Sequence, residues 1–213
     1  MKKIIFLALI VSSCTSLKFS ALSVKDSNNK KLPTLKLVID ENSIENAYSI
    51  SQTSGSYSNS QNGGTYSEVT TSDPRIQDTR TLIEKETFTN ICEELGQSYG
   101  SIKYELPIVY KKRNTLGYWL SACGLFVPSL LGVTQVTYEI NVEVTTKIFD
   151  NNNNLIAKYT STGIGKEKAK LYGYNTVDAS RLANINAIKM AIEKNREKIL
   201  SDSENISKQL INK

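Results

Sequence analysis

The sequence predicts an α+β fold, a mainly antiparallel sheet with two long helices packed on one face. The first observation is the run at 134–149, "TQVTYEINVEVTTKIF". Val136, Tyr138, Ile140, Val142, Val144 and Ile148 share one side while Glu139, Asn141, Glu143 and Lys147 take the other, the period of a strand with one face in a core. The second is its return. Asp150 and Asn151 to Asn154 interrupt the run with residues that tolerate turn conformations, and "LIAKYTSTGIG" follows as the hairpin partner. The third is a pair of helical stripes, at 74–95 and 176–200.

The remaining elements follow in chain order. In "PTLKLVID", Leu35, Leu37 and Ile39 alternate with Thr34, Lys36 and Val38, which marks a first strand. Residues 43–73 are rich in Ser, Thr, Asn and Gly and read as a polar flexible loop, because such composition buries too little apolar area to offset ordering entropy. Ser72-Asp73-Pro74 starts a helix, and Ile76, Ile83, Phe88, Ile91, Cys92 and Leu95 repeat at helical spacing up to Gly96. Ile102, Tyr104, Leu106, Ile108 and Tyr110 then alternate as a strand, in which Pro107 points to a sheet edge. The first strand, helix and second strand suit one crossover unit with a parallel pair. In the last helix Leu182, Ile185, Ile188, Ile192 and Ile199 form a stripe beside Ala179, Ala183, Ala187 and Ala191, a row of small residues that lets a helix lie close on a sheet. Residues 33–200 thus form a single domain, and 201–213 read as a disordered tail.

The N-terminus carries a processing signal. Lys2 and Lys3, the apolar run Ile4 to Val11 and a small-residue end make a secretory signal over residues 1–13. That run is too short for a spanning helix of about 20 residues. It ends in Val11-Ser12-Ser13-Cys14, which resembles the lipobox of bacterial lipoproteins. The resemblance implies cleavage before Cys14, lipid attachment at its sulfur and a lipidated tether over 14–32. It makes the membrane a partner through the lipid anchor, and Thr15 favours the outer membrane over retention at the inner one. "FSALSV", Phe19 to Val24, could shorten that leash as a strand.

Composition narrows the chemistry. There is no histidine, so the commonest general base and metal ligand are missing. Losing residues 1–13 lowers the formal charge from +5 to +3, too mild for nucleic acid as a partner. Gly163-Ile164-Gly165-Lys166 lacks the spacing of a phosphate loop and reads as a strand end. Carboxylates such as Glu93 with Glu94, or Glu139 with Glu143, read as solvated surface. No catalytic, cofactor-binding or metal-binding residue is expected, and no enzyme activity. Cys92 and Cys123 are a possible disulfide in an exported chain, and equally suit two separately buried thiols.

Residues 115–133, "TLGYWLSACGLFVPSLLGV", hold the only tryptophan and no charge. Gly117, Gly124, Pro128 and Gly132 punctuate the segment and Lys111-Lys112-Arg113 precede it, which argues against a membrane span. Two readings stand: a buried connection under the sheet, or an exposed apolar segment contacting membrane or partner through Trp119, Leu120, Leu125, Phe126, Leu130 and Leu131. The element order is similar, weakly, to small periplasmic lipoprotein domains related to the TolB N-terminal domain and to CsgG-like proteins. The functional expectation is a non-enzymatic envelope lipoprotein, an accessory, scaffold or assembly factor with an envelope protein partner. The alternative is a periplasmic carrier holding an apolar ligand or lipid between sheet and helices.

Overall fold

A computed structural model describes residues 20–26, 31–52, 74–123, 134–170 and 176–211. Four strands lie side by side in chain order: β1 Lys36–Ile39, β2 Gly100–Asn114, β3 Val136–Asp150 and β4 Leu155–Ala169. The β2–β3 and β3–β4 pairs are antiparallel, but β1 runs parallel to β2, so the sheet is mixed rather than mainly antiparallel. The helical crossover between β1 and β2 imposes that direction. The helices are α1 Glu41–Gln52, α2 Pro74–Glu86, α3 Leu116–Cys123, α4 Thr176–Ser201 and α5 Ser203–Ile211. α4 crosses β3 and β4, α1 covers β2, and α2 packs on α4.

The alanine row works as its spacing implies, with a counterpart that the sequence reading overlooked. Ala179, Ala183, Ala187 and Ala191 are fully buried, and opposite them stand Gly163 and Gly165 of β4. A Cβ on Gly163 would lie 1.9 Å from the Ala187 carbonyl oxygen, and one on Gly165 1.8 Å from that of Ala183. "GIG" is therefore strand interior, not a strand end, and brings the helix backbone into direct contact with the sheet. α4 also covers the outer edge of β4: Lys194 Nζ donates to the Thr162 carbonyl and Lys198 Nζ to that of Thr160, both at 2.8 Å. Lysines so placed blunt an edge that would otherwise template another strand.

Pro107 lies in a bulge, on a stretch of β2 that β1 no longer flanks. β2 lies between β1 and β3, and its register with β3 slips between Glu105 and Ile108. The four-residue β1 ends at Ile39, opposite Tyr104. Beyond it α1 takes over, with Ser43 Oγ accepting from the Leu106 amide at 2.8 Å. Because side chains alternate faces, one extra residue inverts everything after it. Ile102, Tyr104 and Leu106 are buried, whereas Ile108 and Tyr110 are more than half exposed.

The second expected long helix is shorter than 74–95. After Glu86 the chain makes a π-helical turn, Thr87–Ile91, in which the Cys92 amide donates to the Thr87 carbonyl at 3.0 Å. Thr87 Oγ1 donates to the Ile83 carbonyl (2.7 Å) and lies 3.0 Å from the Tyr104 hydroxyl, which draws the turn toward the sheet. Residues 91–93 then run beside Leu32, whose amide donates to Ile91 O at 2.8 Å. Leu95, counted in the apolar stripe, is 86% exposed.

Three segments assigned to loop, tether or tail carry structure. Asp40 Oδ1 caps α1 by accepting from the Ser43 amide at 3.0 Å, and α1 buries Ile44, Ala47 and Tyr48 within the stretch expected to be loop. Ser20–Leu22 forms a 3-10 turn and Leu32 is wholly buried, so the body begins upstream of residue 33. α5 occupies most of the expected tail, because Ile206 and Leu210, four residues apart, both bury. The signal at 1–13, Cys14 and the remainder of the 43–73 stretch from 53 onward lie outside the described residues.

A polar seam runs between α2 and α4. Arg181 pairs with Asp78. The Tyr48 hydroxyl lies 2.8 Å from Thr79 Oγ1 and accepts from Asn184 Nδ2 at 2.8 Å. Glu86 accepts from Arg196 and, at 3.0 Å, from Asn90 Nδ2. Burial outweighs these partners and pushes the Glu86 carboxyl above its ordinary range.

Candidate interaction surface

α3 begins where β2 ends. Asn114 Oδ1 accepts from the Leu116 amide at 2.9 Å and so caps the helix. Leu116, Trp119, Leu120 and Cys123 fall at i, i+3, i+4 and i+7, one face of a helix. Gly117 sits against the body, since a Cβ there would lie 1.7 Å from the Thr134 carbonyl oxygen. Leu116, Trp119 and Leu120 are 63%, 64% and 56% exposed. α3 contains no charged residue, so an uncharged apolar face is turned outward at this end of the sheet.

Basic residues border it. Lys112 and Arg113 are exposed, while Lys111 Nζ lies 5.0 Å and Arg113 Cζ 6.0 Å from the centre of the Tyr138 ring, a cation–π arrangement that holds two cations beside the helix. Trp119 and Leu120 thus stand together in the exposed setting that one sequence reading required. Leu125, Phe126, Leu130 and Leu131 lie outside the described residues. Leu116 joins the face although it was not singled out; its spacing from Trp119 and Leu120 was the available signal.

Cys92 and Cys123 are not bridged. Cys92 is fully buried beside Leu32, and burial raises its thiol pKa to about 11. Cys123 is exposed at the end of α3, so the reading of two buried thiols fails for it as well. In native protein iodoacetamide should alkylate Cys123 and spare Cys92, and both should react in denaturant, as peptide mass spectrometry would show. Protection of both thiols, reversed by reductant, would mean a disulfide.

Among the described residues a cleft of about 240 Å³ lies between Ser23–Lys25 and the α2–α4 pair, lined by Glu86, Lys189 and Glu193 among others. Val24, Leu82 and Ile192 share that lining with the charged side chains, and no residue of α3 contributes to it. No group of three or more His, Cys, Asp or Glu side chains among the described residues is placed to hold a metal, and no described helix is long and apolar enough to cross a membrane.

No family model matches the chain, and no curated protein matches it. Among solved structures it is similar to one described as "a putative lipoprotein from Caulobacter crescentus CB15", at 14% identity and a TM-score of 0.29, covering 66% of this chain and 80% of that one. A likeness of that size assigns neither a role nor a site.

Proposed function

We propose that the chain is a membrane-anchored envelope lipoprotein of non-enzymatic accessory, scaffold or assembly type, acting through protein and membrane contacts. The lipobox ending in Cys14 supports the anchor, and Thr15 supports the outer membrane. The observation that carries the contact role is the outward face of Leu116, Trp119 and Leu120, since contiguous exposed apolar surface in a folded domain marks interaction sites.

Crosslinking of native envelopes followed by mass spectrometry tests the reading. Trp119→Glu with Leu120→Glu should abolish the crosslinks of the parent chain while changing folding stability by less than about 1 kcal/mol, since neither side chain is in the core. Unchanged crosslinks in a normally folded variant would remove α3 from the contact. The anchor is tested separately by metabolic palmitate labelling, which Cys14→Ala should eliminate.

A further inference from the structure

Strand register gathers cations at the end of the sheet where α3 sits. Lys112 pairs with Glu139 and Glu139 with Lys166, Arg113 with Tyr138 and Tyr138 with Glu167, and Thr137 with Lys168. Lys112, Arg113, Lys166, Lys168 and Lys170 are all exposed. The two carboxylates among them are already engaged, Glu139 with Lys166 Nζ at 3.1 Å and Glu167 with Asn186 Nδ2 at 2.9 Å. The opposite end of the sheet carries both signs, Lys103, Lys147 and Lys158 in register across three strands and Asp40 and Glu105 paired with the first two. The apolar helix thus projects from an end of the sheet that exposed cations border.

The N-terminal segment sets how far this end can be from an acyl anchor. Ser20–Lys25 is held to α4 and to the turn after α2 by its own carbonyls: Lys189 Nζ donates to Ser23 O at 2.7 Å and Asn90 Nδ2 to Lys25 O at 3.1 Å. Whatever path they take, the six residues from Cys14 to Ser20 reach at most about 20 Å. Lys189 lies thirteen residues along α4 from Thr176, at the cationic end, also about 20 Å at the rise of a helix. Anchor and α3 can therefore meet one bilayer surface.

We infer that the α3 end of the sheet docks on an anionic phospholipid surface, Trp119, Leu116 and Leu120 entering the headgroup layer and Lys112, Arg113 and Lys168 contacting lipid phosphates. Tryptophan and leucine within a basic rim match that layer, where an amphipathic ring and cations are both favoured. The inference deepens the membrane part of the proposed function and rests on it.

Trp119 is the only tryptophan, so its fluorescence reports the contact without a label. The full chain, purified in detergent, would be reconstituted into vesicles of phosphatidylcholine alone or with phosphatidylglycerol, each also prepared with brominated acyl chains. The expected result is a blue-shifted emission quenched by brominated lipid, with a quenched fraction in phosphatidylglycerol vesicles at least roughly twice that in phosphatidylcholine. Lys112→Gln with Arg113→Gln should cancel most of that difference without altering the circular dichroism. Emission typical of water and insensitive to brominated lipid would overturn the inference, and equal quenching in both vesicles would overturn its anionic part. Palmitate on Cys14 with an unquenched Trp119 leaves the anchor standing and refutes this contact. Quenching without palmitate supports this contact and refutes the anchor.

Discussion

Gly163→Ala is expected to destabilise the domain by about 3 kcal/mol, the upper end of the usual cost of overpacking. The new methyl would meet the Ala187 carbonyl at 1.9 Å and the Ala191 amide nitrogen at 2.7 Å. Neither is a side chain that can rotate away, so α4 itself must move off the sheet. At a slope of about 2 kcal/mol per molar urea, that loss lowers the unfolding midpoint by about 1.5 M. Adding Gly165→Ala should cost less than a second full increment, because one outward shift of α4 relieves both collisions. Ile164→Ala, between the two glycines but 46% exposed, should cost less than about 1 kcal/mol. A Gly163→Ala variant as stable as the parent would mean that α4 does not lie this close to β4.

Elements with strong periodicity were legible from the residues alone. β3, its hairpin partner and α4 each carry an apolar pattern long enough to exclude the other secondary structure. Asp150 confirms the hairpin reading in detail: its Oδ1 accepts from the amides of Asn152 (3.0 Å) and Asn154 (2.8 Å), and Asn153 takes a left-handed φ of 63°. What escaped depended on few residues or on distant partners. α1 buries only Ile44, Ala47 and Tyr48 among polar neighbours, and Tyr48 is held by Thr79 and Asn184 from two other helices. α5 rests on Ile206 and Leu210. The inversion after Pro107 depends on a bulge against β3, and a proline in a strand reads equally as edge or bulge. Of the candidate surface, Trp119 and Leu120 were visible as an uncharged run with Lys111-Lys112-Arg113 just before it, but Lys166 and Lys168 join its basic rim through a strand register that no local pattern reveals.

Replacing Arg196 by methionine should give the other large effect, and its pH dependence separates charge from packing. Glu86 is 6% exposed, and its carboxylate accepts from Arg196 Nη1 and Asn90 Nδ2. Breaking a buried pair by removing one partner costs about 3–5 kcal/mol when the remaining charge stays uncompensated. Because burial already raises the folded-state pKa of Glu86 above its ordinary 4.5, its favourable contribution is fully present below that value. It is lost as pH rises through the folded value. Losing Arg196 removes an interaction that lowers this pKa, so the loss with rising pH becomes deeper and extends further. The Arg196→Met penalty should therefore be largest at neutral pH and shrink as the medium is acidified below about pH 4.5, where Glu86 is protonated in folded and unfolded chains alike. Glu86→Gln in the same background, uncharged at every pH, should recover much of the neutral-pH loss and flatten the profile. Urea unfolding of the parent, single and double variants across this range provides the measurement. A penalty independent of pH, unrelieved by the glutamine, would assign the effect to lost packing of the arginine side chain rather than to the buried charge.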